Sequence, residues 1–246
     1  MHGVLFVMHY EGRDRVVREG LASAAALKDV MRPTFPIELM ANARAMALVP
    51  AARLTSLFDH RREMELDPRL RKLVQSHINS TFAAAPDASA YLFKLSCLLQ
   101  TRWRRTVFFD CDVLVLQRTL VNDLLHKALD VADVAMPLDP GRAAHLVPGS
   151  VGAAPWVAPA VGPPMLCSAV LAYRSGVSTN AFLLGAARRL IRSEHPGVRQ
   201  GDQEMMWFEW TRSSRELRVL ALPEETCTRS VLEARPRHTL QSAPAH

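Results

Sequence analysis

The chain has 246 residues, of which 49% are hydrophobic and 22% are charged, and its formal net charge is +6. This length can bury a core of ordinary size, and the composition excludes an intrinsically disordered protein. Four scattered cysteines without C-x-x-C spacing indicate neither a zinc site nor a disulfide framework. We expect a single domain over residues 1–246, with a polar tail over 224–246.

Apolar runs in the sequence are short. None approaches the roughly 20 residues needed to span a bilayer, and the first apolar stretch, residues 4–8, lacks the preceding basic segment of a signal peptide. We therefore expect no membrane span and a cytoplasmic protein as the sequence stands. A Golgi or luminal location would be consistent with a native amino terminus that is missing.

The positive net charge favours anionic ligands such as nucleotides or sugar phosphates, and by itself it would also suit nucleic acid. The densest basic group is formed by Arg102, Arg104 and Arg105 around Trp103, whereas the other arginines are scattered. We interpret this group as a solvated helix end and expect no nucleic-acid partner.

The first forty residues predict a β-α-β unit. Residues 3–9 form a short apolar run typical of a buried strand, a helical apolar period then ends before Pro33, and residues 35–40 form a second strand. Such a unit implies parallel strands joined by a right-handed crossover. The stretch 41–85 mixes short apolar groups with charges, and we predict irregular helix and loop there, whose length indicates an insertion or a structure that faces a ligand.

Strands and helices continue to alternate along the rest of the chain. An apolar helix over 90–99 carries Lys94 and leads into the strand of the segment TVFFDCDVLVLQ, residues 106–117. Residues 137–164 are rich in Pro, Gly and Ala, which predicts a long loop over the sheet edge or the site. The other predicted elements are a helix over 120–129 capped by Thr119, strands over 131–136, 165–173 and 217–222, and helices over 179–192 and 202–210.

Two carboxylates make the segment 106–117 the most informative part of the sequence. Asp110 and Asp112 stand where a buried strand runs out, and side chains at i and i+2 of an extended strand share a face. Two like charges beside an apolar run are costly unless a cation lies between them. One interpretation is a Mg²⁺ or Mn²⁺ site for a diphosphate-bearing ligand. The other is a strand end whose acids cap the next segment or meet arginines.

Four segments in this order resemble the nucleotide-diphospho-sugar transferases with the GT-A fold, in particular glycosyltransferase family 8: VLFVMHY with its following helix, FKLSCLLQTRWRRTVFFDCDVLVL, CSAVLAYRSG and GDQEMMW. The resemblance implies a Rossmann-like α/β domain with a mixed, mostly parallel central sheet flanked by helices. It also implies metal-dependent transfer of a hexose, with retention of anomeric configuration, from a nucleotide sugar such as a UDP-sugar. The acceptor, a glycan, a protein or a small molecule, is not indicated.

The resemblance assigns a metal and donor site. Asp110 and Asp112 match the D-x-D motif that holds Mn²⁺ or Mg²⁺ on the donor diphosphate, and His238 is the candidate for a further, carboxy-terminal ligand. Lys94 and Asp110 match positions near the donor. The resemblance places the nucleotide at the pair that ends the first strand, His9 and Tyr10, and parallel sheets do bind ligands at the carboxyl ends of their strands.

The segment GDQ matches the part of the family that lies beside the transferred sugar or the acceptor. Asp202 and Gln203 are therefore the catalytic candidates, although an Asp that opens a helix is also an ordinary N-cap. Ser168 with Ala169 stands where relatives often carry N-x-G. An inverting enzyme would need a carboxylate base, for which Asp202 or Glu204 would serve.

Other functions are compatible with the same motifs. FFDCDVLV also resembles the first motif of haloacid-dehalogenase-like phosphatases, in which Asp110 would be the nucleophile. Leu114 and Met206 depart from that pattern, since the first replaces a Thr or Val and the second replaces a later acid. A sugar nucleotidyltransferase would need a glycine-rich loop where HYEGRDR stands. A catalytically inactive GT-A-like interaction domain is the non-enzyme alternative.

Overall fold

Seven strands form one central sheet in a computed structural model, which describes residues 1–12, 14–31, 34–76, 88–139, 166–192, 202–212, 217–223 and 226. Neighbouring strands are parallel throughout the sheet except that β6 runs antiparallel to both β4 and β5, and the spatial order is β3-β2-β1-β4-β6-β5-β7. The strands are β1 (His2–Met8), β2 (Ile37–Ala41), β3 (His60–Glu63), β4 (Arg105–Phe109), β5 (Val134–Pro137), β6 (Val170–Arg174) and β7 (Val219–Leu222). This is the mixed, mostly parallel α/β sheet that the resemblance to the GT-A fold implies.

Helices cover both faces of the sheet. They are α1 (Arg15–Met31), α2 (Ala43–Leu48), α3 (Ala51–Leu57), α4 (Pro68–Ser76), α5 (Ala88–Leu99), α6 (Leu120–Asn122, continued by a π-helical turn at Asp123–Ala128 and by Leu129–Val131), α7 (Val177–Arg192) and α8 (Asp202–Arg212). Apolar side chains of α4, α5, α7 and α8 share one core cluster, and those of α1, α2, α3 and α6 belong to the cluster on the opposite face. The sheet is therefore the middle layer of three.

The alternation of side chains along β1 explains why its sequence is continuously apolar from Val4 to Met8. Leu5 and Val7 belong to the core on the α5 face, while Val4, Phe6 and Met8 belong to the core on the α1 face. A strand that is buried on both faces needs apolar side chains in both directions. The β1-α1-β2 unit and the parallel pairing of its strands agree with the prediction from the sequence.

The stretch 41–85 is more regular than the sequence predicts. The irregular helix and loop expected there are in fact two short helices, the strand β3 and the helix α4, followed by residues 77–87, which lie outside the described part of the chain. The sequence of β3, HRRE, has no apolar run because β3 is an edge strand with alternate side chains exposed. Because HRRE contains neither an apolar run nor an apolar/polar alternation, a strand of this kind could not be predicted from its sequence.

The strand that carries the D-x-D motif ends earlier than predicted. β4 stops at Phe109, the Asp110 N–H makes a last bond to Ala169 O (2.9 Å), and a turn then closes with Val113 N–H donating to Asp110 O (3.2 Å). The expectation that Asp110 and Asp112 share one face of an extended strand is therefore wrong. The ladder with the paired strand β6 ends at Phe109 and Val170, and the bond from Asp110 to Ala169 is the last backbone contact before the turn.

The remaining predicted elements are present with shifted ends. The helix after the D-x-D motif is α6, but the Thr119 side chain makes no capping hydrogen bond. Of the predicted loop over 137–164, the structure describes residues 137–139 only, and of the tail over 224–246 it describes residue 226 only. No helix within the described ranges is long and apolar enough to cross a membrane.

Candidate functional site

Parallel strands bring their carboxyl ends to one edge of the sheet, and the reversed strand β6 begins at the same edge. Polar side chains from separate parts of the sequence meet there for this reason. They follow or precede the strands directly: His9 after β1, Asn42 after β2, Asp110 after β4, Asp139 near the end of β5 and Ser168 before β6.

Lys94 of α5 occupies the centre of this edge. Its Nζ lies 2.8 Å from Asp110 Oδ1 and 2.7 Å from Asp202 Oδ2, and it also donates to Asp110 Oδ2 at 2.9 Å. The Ser168 carbonyl oxygen and hydroxyl accept from the same ammonium at 3.2 and 3.4 Å. Only 9% of the Lys94 side chain and 6% of the Asp202 side chain are exposed, whereas 31% of the Asp110 side chain is, so the cluster is buried around Lys94 and Asp202 and open to solvent at Asp110.

The cluster contains more negative than positive charge. Burial alone lowers the pKa of Lys94, but the carboxylates of Asp110 and Asp202 outweigh that effect and raise it, so Lys94 stays protonated. Burial raises the pKa of Asp110 to about 6 against the opposing effect of Lys94, and the carboxylates of Asp202 and Asp112 add to the rise. One ammonium is therefore shared among several carboxylates, and a further cation would relieve their mutual repulsion.

Asp202 reaches Lys94 because α8 begins at this edge. Met205, Met206 and the aromatic side chains after them are buried in the core on the α5 face, which fixes the helix against α5 and α7. Arg189 Nε of α7 donates to Glu209 Oε2 of α8 at 2.7 Å, a second tie between these helices. The first turn of α8 is thus held against the end of β4.

Gln203 is held by two neighbours in the same edge. Its Nε2 donates to Asp139 Oδ2 at 2.7 Å, and its Oε1 accepts a long bond of 3.4 Å from the Ser168 N–H. Both Gln203 and Asp139 are buried. The carboxamide therefore has a defined orientation, with its amino group toward β5 and its oxygen toward the start of β6.

The segment after β1 approaches α5 and β2. The His9 ring lies against Phe93 of α5, with centroids 4.6 Å apart, and burial lowers the pKa of His9 although Glu11 acts in the opposite direction. Its Nδ1 is buried and has no hydrogen-bond partner among the described residues. Asn42 pairs with the Tyr10 backbone through two bonds of 3.2 Å, one from the Tyr10 N–H and one to the Tyr10 carbonyl.

Asp112 differs from Asp110 in its surroundings. It is exposed in the turn after β4, yet it is close enough for its charge to raise the pKa of Asp110. Carboxylate oxygens are the donors that Mn²⁺ and Mg²⁺ prefer, and both ions accept water and phosphate in their other positions. The pair therefore suits such an ion chemically. No group of three or more potential metal ligands occurs within the described ranges, and His238 lies outside them.

The structure thus brings together Lys94, Asp110, Asp202 and Gln203 and places His9, Tyr10 and Asp112 on the same edge of the sheet. Sequence reasoning missed Asn42 and Asp139, and it considered Ser168 only as a departure from a family pattern. Asn42 directly follows the buried strand β2, and Asp139 lies two residues after the buried strand β5. That position, a polar residue at the carboxyl end of a parallel strand, is the signal that could have identified them.

Comparison with known proteins supports the fold at low sequence identity. No protein-family model matches the sequence, and no curated protein does. The galactosyltransferase LgtC, solved with donor and acceptor sugar analogs, superimposes with a TM-score of 0.53 at 14% identity over 84% of this chain and 69% of its own. Mouse xyloside xylosyltransferase 1, in its apo form, gives a TM-score of 0.52 at 10% identity over 90% of this chain and 84% of its own. The chain shares its fold, the GT-A fold, with these two glycosyltransferases.

The position of Lys94 between two carboxylates predicts that it contributes to the free energy of unfolding. Lys94→Met keeps an unbranched side chain one atom shorter but leaves Asp110 and Asp202 facing each other without their cation. We expect the free energy of unfolding, measured by urea denaturation in the presence of a chelator, to fall by about 3–5 kcal/mol. Adding Asp202→Asn to Lys94→Met should restore part of the loss, because it removes one of the two repelling charges.

The exposed Lys72 of α4 offers a matched control. Lys72→Met should change the free energy of unfolding by less than about 0.5 kcal/mol. A Lys94→Met variant as stable as the wild type, or a double variant less stable than Lys94→Met alone, would show that Lys94 does not hold the carboxylates together.

Proposed function

We propose that this protein is a metal-dependent glycosyltransferase that moves a hexose from a nucleotide-diphospho-sugar to an acceptor that the chain does not identify. One observation carries the proposal: Lys94 joins Asp110 of the D-x-D motif to Asp202 of the GDQ segment at the carboxyl edge of a GT-A sheet. The fold is shared with a galactosyltransferase and a xylosyltransferase, which act on sugars. Fold alone does not determine function, so the site carries the claim.

In this proposal Asp110 and Asp112 would hold a Mn²⁺ or Mg²⁺ ion near the diphosphate of the donor, and His238 would be a further ligand. When bound, the ion neutralises negative charge on the departing nucleoside diphosphate. The excess of carboxylate over ammonium at this edge supports such a site, because a divalent cation compensates the charge that Lys94 leaves unbalanced.

Lys94 acts in this site as a positioning residue. Its ammonium contacts Asp110, Asp202 and Ser168, which are all protein groups. Lys94 would therefore act on the donor through the two carboxylates that it holds. The segment with His9 and Tyr10 would hold the nucleotide. A His9 that burial keeps neutral, packed against Phe93, presents an aromatic surface of the kind on which a base can stack.

The transferred sugar would lie next to the first turn of α8, where Asp202 and Gln203 would contact it. We propose retention of anomeric configuration, with the leaving phosphate taking the acceptor proton on the same face of the sugar. The commitment of Asp202 to Lys94 supports a reaction without a dedicated carboxylate base. Proton NMR of the product reports its anomeric configuration, and an inverted linkage would instead favour Asp202 or Glu204 as the base.

The phosphatase alternative places different demands on Asp110. As a nucleophile, its carboxylate would have to reach the phosphorus of a substrate, but both of its oxygens lie within 2.9 Å of Lys94. The GT-A fold also favours the transferase over the phosphatase. An inactive GT-A domain would bind the nucleotide sugar without turning it over.

A nucleotide and metal screen tests the proposal. With Mn²⁺ and a nucleoside diphosphate at about 100 times its Kd, we expect the melting temperature to rise by roughly 5–10 °C, because a ligand that binds the folded state stabilises it. Asp112→Ala should abolish the metal-dependent part of the shift, since it removes an exposed ligand without disturbing Lys94.

The exposed Asp29 of α1 supplies the control, because Asp29→Ala removes a carboxylate far from the D-x-D turn and should leave the shift intact. No shift with any nucleotide would contradict the transferase. Hydrolysis of p-nitrophenyl phosphate that is lost in Asp110→Asn would support the phosphatase instead.

Asp139 should affect turnover through Gln203. Asp139→Ala removes the acceptor that orients the Gln203 carboxamide, so we expect kcat to fall by roughly 10-fold or more while the KM for the donor changes little. In a Gln203→Ala background the same substitution should cost almost nothing, because its route of action is gone. Steady-state kinetics of the two single variants and the double variant measure this coupling, and additive losses would show that Asp139 acts independently of Gln203.

A further inference from the structure

A second polar site lies at the opposite, amino edge of the sheet. A cavity of about 230 Å³ opens there, and Arg104, Arg105, Asp133, Arg174 and Gly176 line it together with the first turn of α7. Arg105 begins β4, whereas Asp110 follows its end, so the cavity is separated from the candidate active site by the length of a five-residue strand, about 15–17 Å. These residues have no role in the glycosyltransferase reaction proposed above.

Two arginines face each other directly across the sheet at this cavity. In the antiparallel pair of β4 and β6, Arg105 is the register partner of Arg174. Directly opposed like charges destabilise a sheet, because their side chains lie on the same face about 5 Å apart at Cβ. An arrangement of this kind implies a compensating negative charge.

The carboxylates nearby are already committed to other arginines. Arg105 pairs with Asp130 (Nη2 to Oδ1, 2.7 Å) and donates to the Leu125 carbonyl at 2.6 Å. Both oxygens of Asp133 accept from Arg218, at 3.0 and 3.2 Å. The pKa of Asp133 is lowered, first of all by this bond, with the charge of Arg174 making a smaller contribution.

The Arg174 guanidinium has no carboxylate partner among the residues that the structure describes. Its Nε is buried and makes no hydrogen bond to any residue in the described part of the chain, and no ion pair within 4 Å joins its guanidinium to a described carboxylate. A buried donor without a partner costs free energy, so it indicates a group that the protein alone does not supply. Arg104, on the same cavity, is exposed and likewise has no described carboxylate partner.

The start of α7 adds backbone donors to the cavity. The Asn180 N–H donates to the Gly176 carbonyl at 2.9 Å, so Gly176 is the N-cap and has no side chain to occupy the first-turn amides. A Cβ at Gly176 would meet nothing within 4 Å, which leaves the helix terminus open to the cavity. Helix amino termini carry a partial positive charge and present N–H groups to anions.

We propose that this cavity binds a phosphate-type oxyanion, either as free phosphate or as the phosphate group of a small phosphomonoester. The Arg174 guanidinium would donate to its oxygens in the planar geometry that suits phosphate, Arg104 would add charge from the exposed side, and the first turn of α7 would supply backbone N–H groups. The cavity is large enough for one phosphate and a small substituent. We name this group of residues the amino-edge anion site.

Isothermal titration of the full chain with sodium phosphate, in a chelator and at constant ionic strength, tests the amino-edge anion site. We expect saturable binding at one site. Arg174→Gln should weaken the binding at least tenfold, since it removes a charge-assisted donor pair. Glycerol 3-phosphate titrated in the same way distinguishes the sources: comparable affinity identifies a phosphomonoester as the ligand, and much weaker affinity identifies free phosphate.

A second variant tests the same site without changing Arg174. Gly176→Asp places a carboxylate at the open N-cap, so it should abolish phosphate binding and at the same time raise the melting temperature of the phosphate-free protein. The exposed Arg53 of α3 provides a charge-matched control, and Arg53→Gln should bind phosphate as the wild type does.

Two results would overturn the amino-edge anion site. One is the absence of saturable phosphate binding by the wild type. The other is wild-type affinity in Gly176→Asp, which would place the bound phosphate elsewhere on the protein. Because metal is removed by the chelator and the D-x-D residues are unchanged, neither result bears on the proposed transferase.

Discussion

A single buried ammonium joins the parts of the chain that form the candidate active site. Lys94 comes from α5, Asp110 from the end of β4 and Asp202 from the start of α8, and all three meet within hydrogen-bonding distance. The buried Asp202 carboxylate would be costly without its cation, and the buried Lys94 ammonium would be costly without the carboxylates. The positions of α5 and α8 against the sheet are therefore coupled to the D-x-D turn by charge as well as by apolar packing.

The reversal of β6 is the topological feature that completes this site. In a wholly parallel sheet, the segment before β6 would lie at the amino edge, but the antiparallel pairing with β4 and β5 brings Ser168 to the carboxyl edge. There its carbonyl and hydroxyl accept from Lys94, and its N–H reaches Gln203. Because β6 runs in this direction, Ser168 can contact both Lys94 and Gln203.

The reversal of β6 also determines which residues meet at the amino edge of the sheet. Because β6 ends where β4 begins, Arg174 lies across from Arg105, and α7 starts beside them with its amino terminus toward the cavity. Positive charge accumulates at the amino edge, while carboxylates predominate at the carboxyl edge. The net charge of +6 therefore describes neither edge, since the sheet separates two regions of opposite character.

The sequence by itself determined the β-α-β opening, the mixed α/β class and the motif residues Asp110 and Asp202, because apolar runs and family-like segments are local properties. It could not show the turn at Asp112, since the end of β4 depends on where its partner strand begins. It also could not show that Lys94 binds both carboxylates or that Asp139 holds Gln203. Those pairings join residues far apart in the chain, and only the packing of helices on the sheet decides which of them meet.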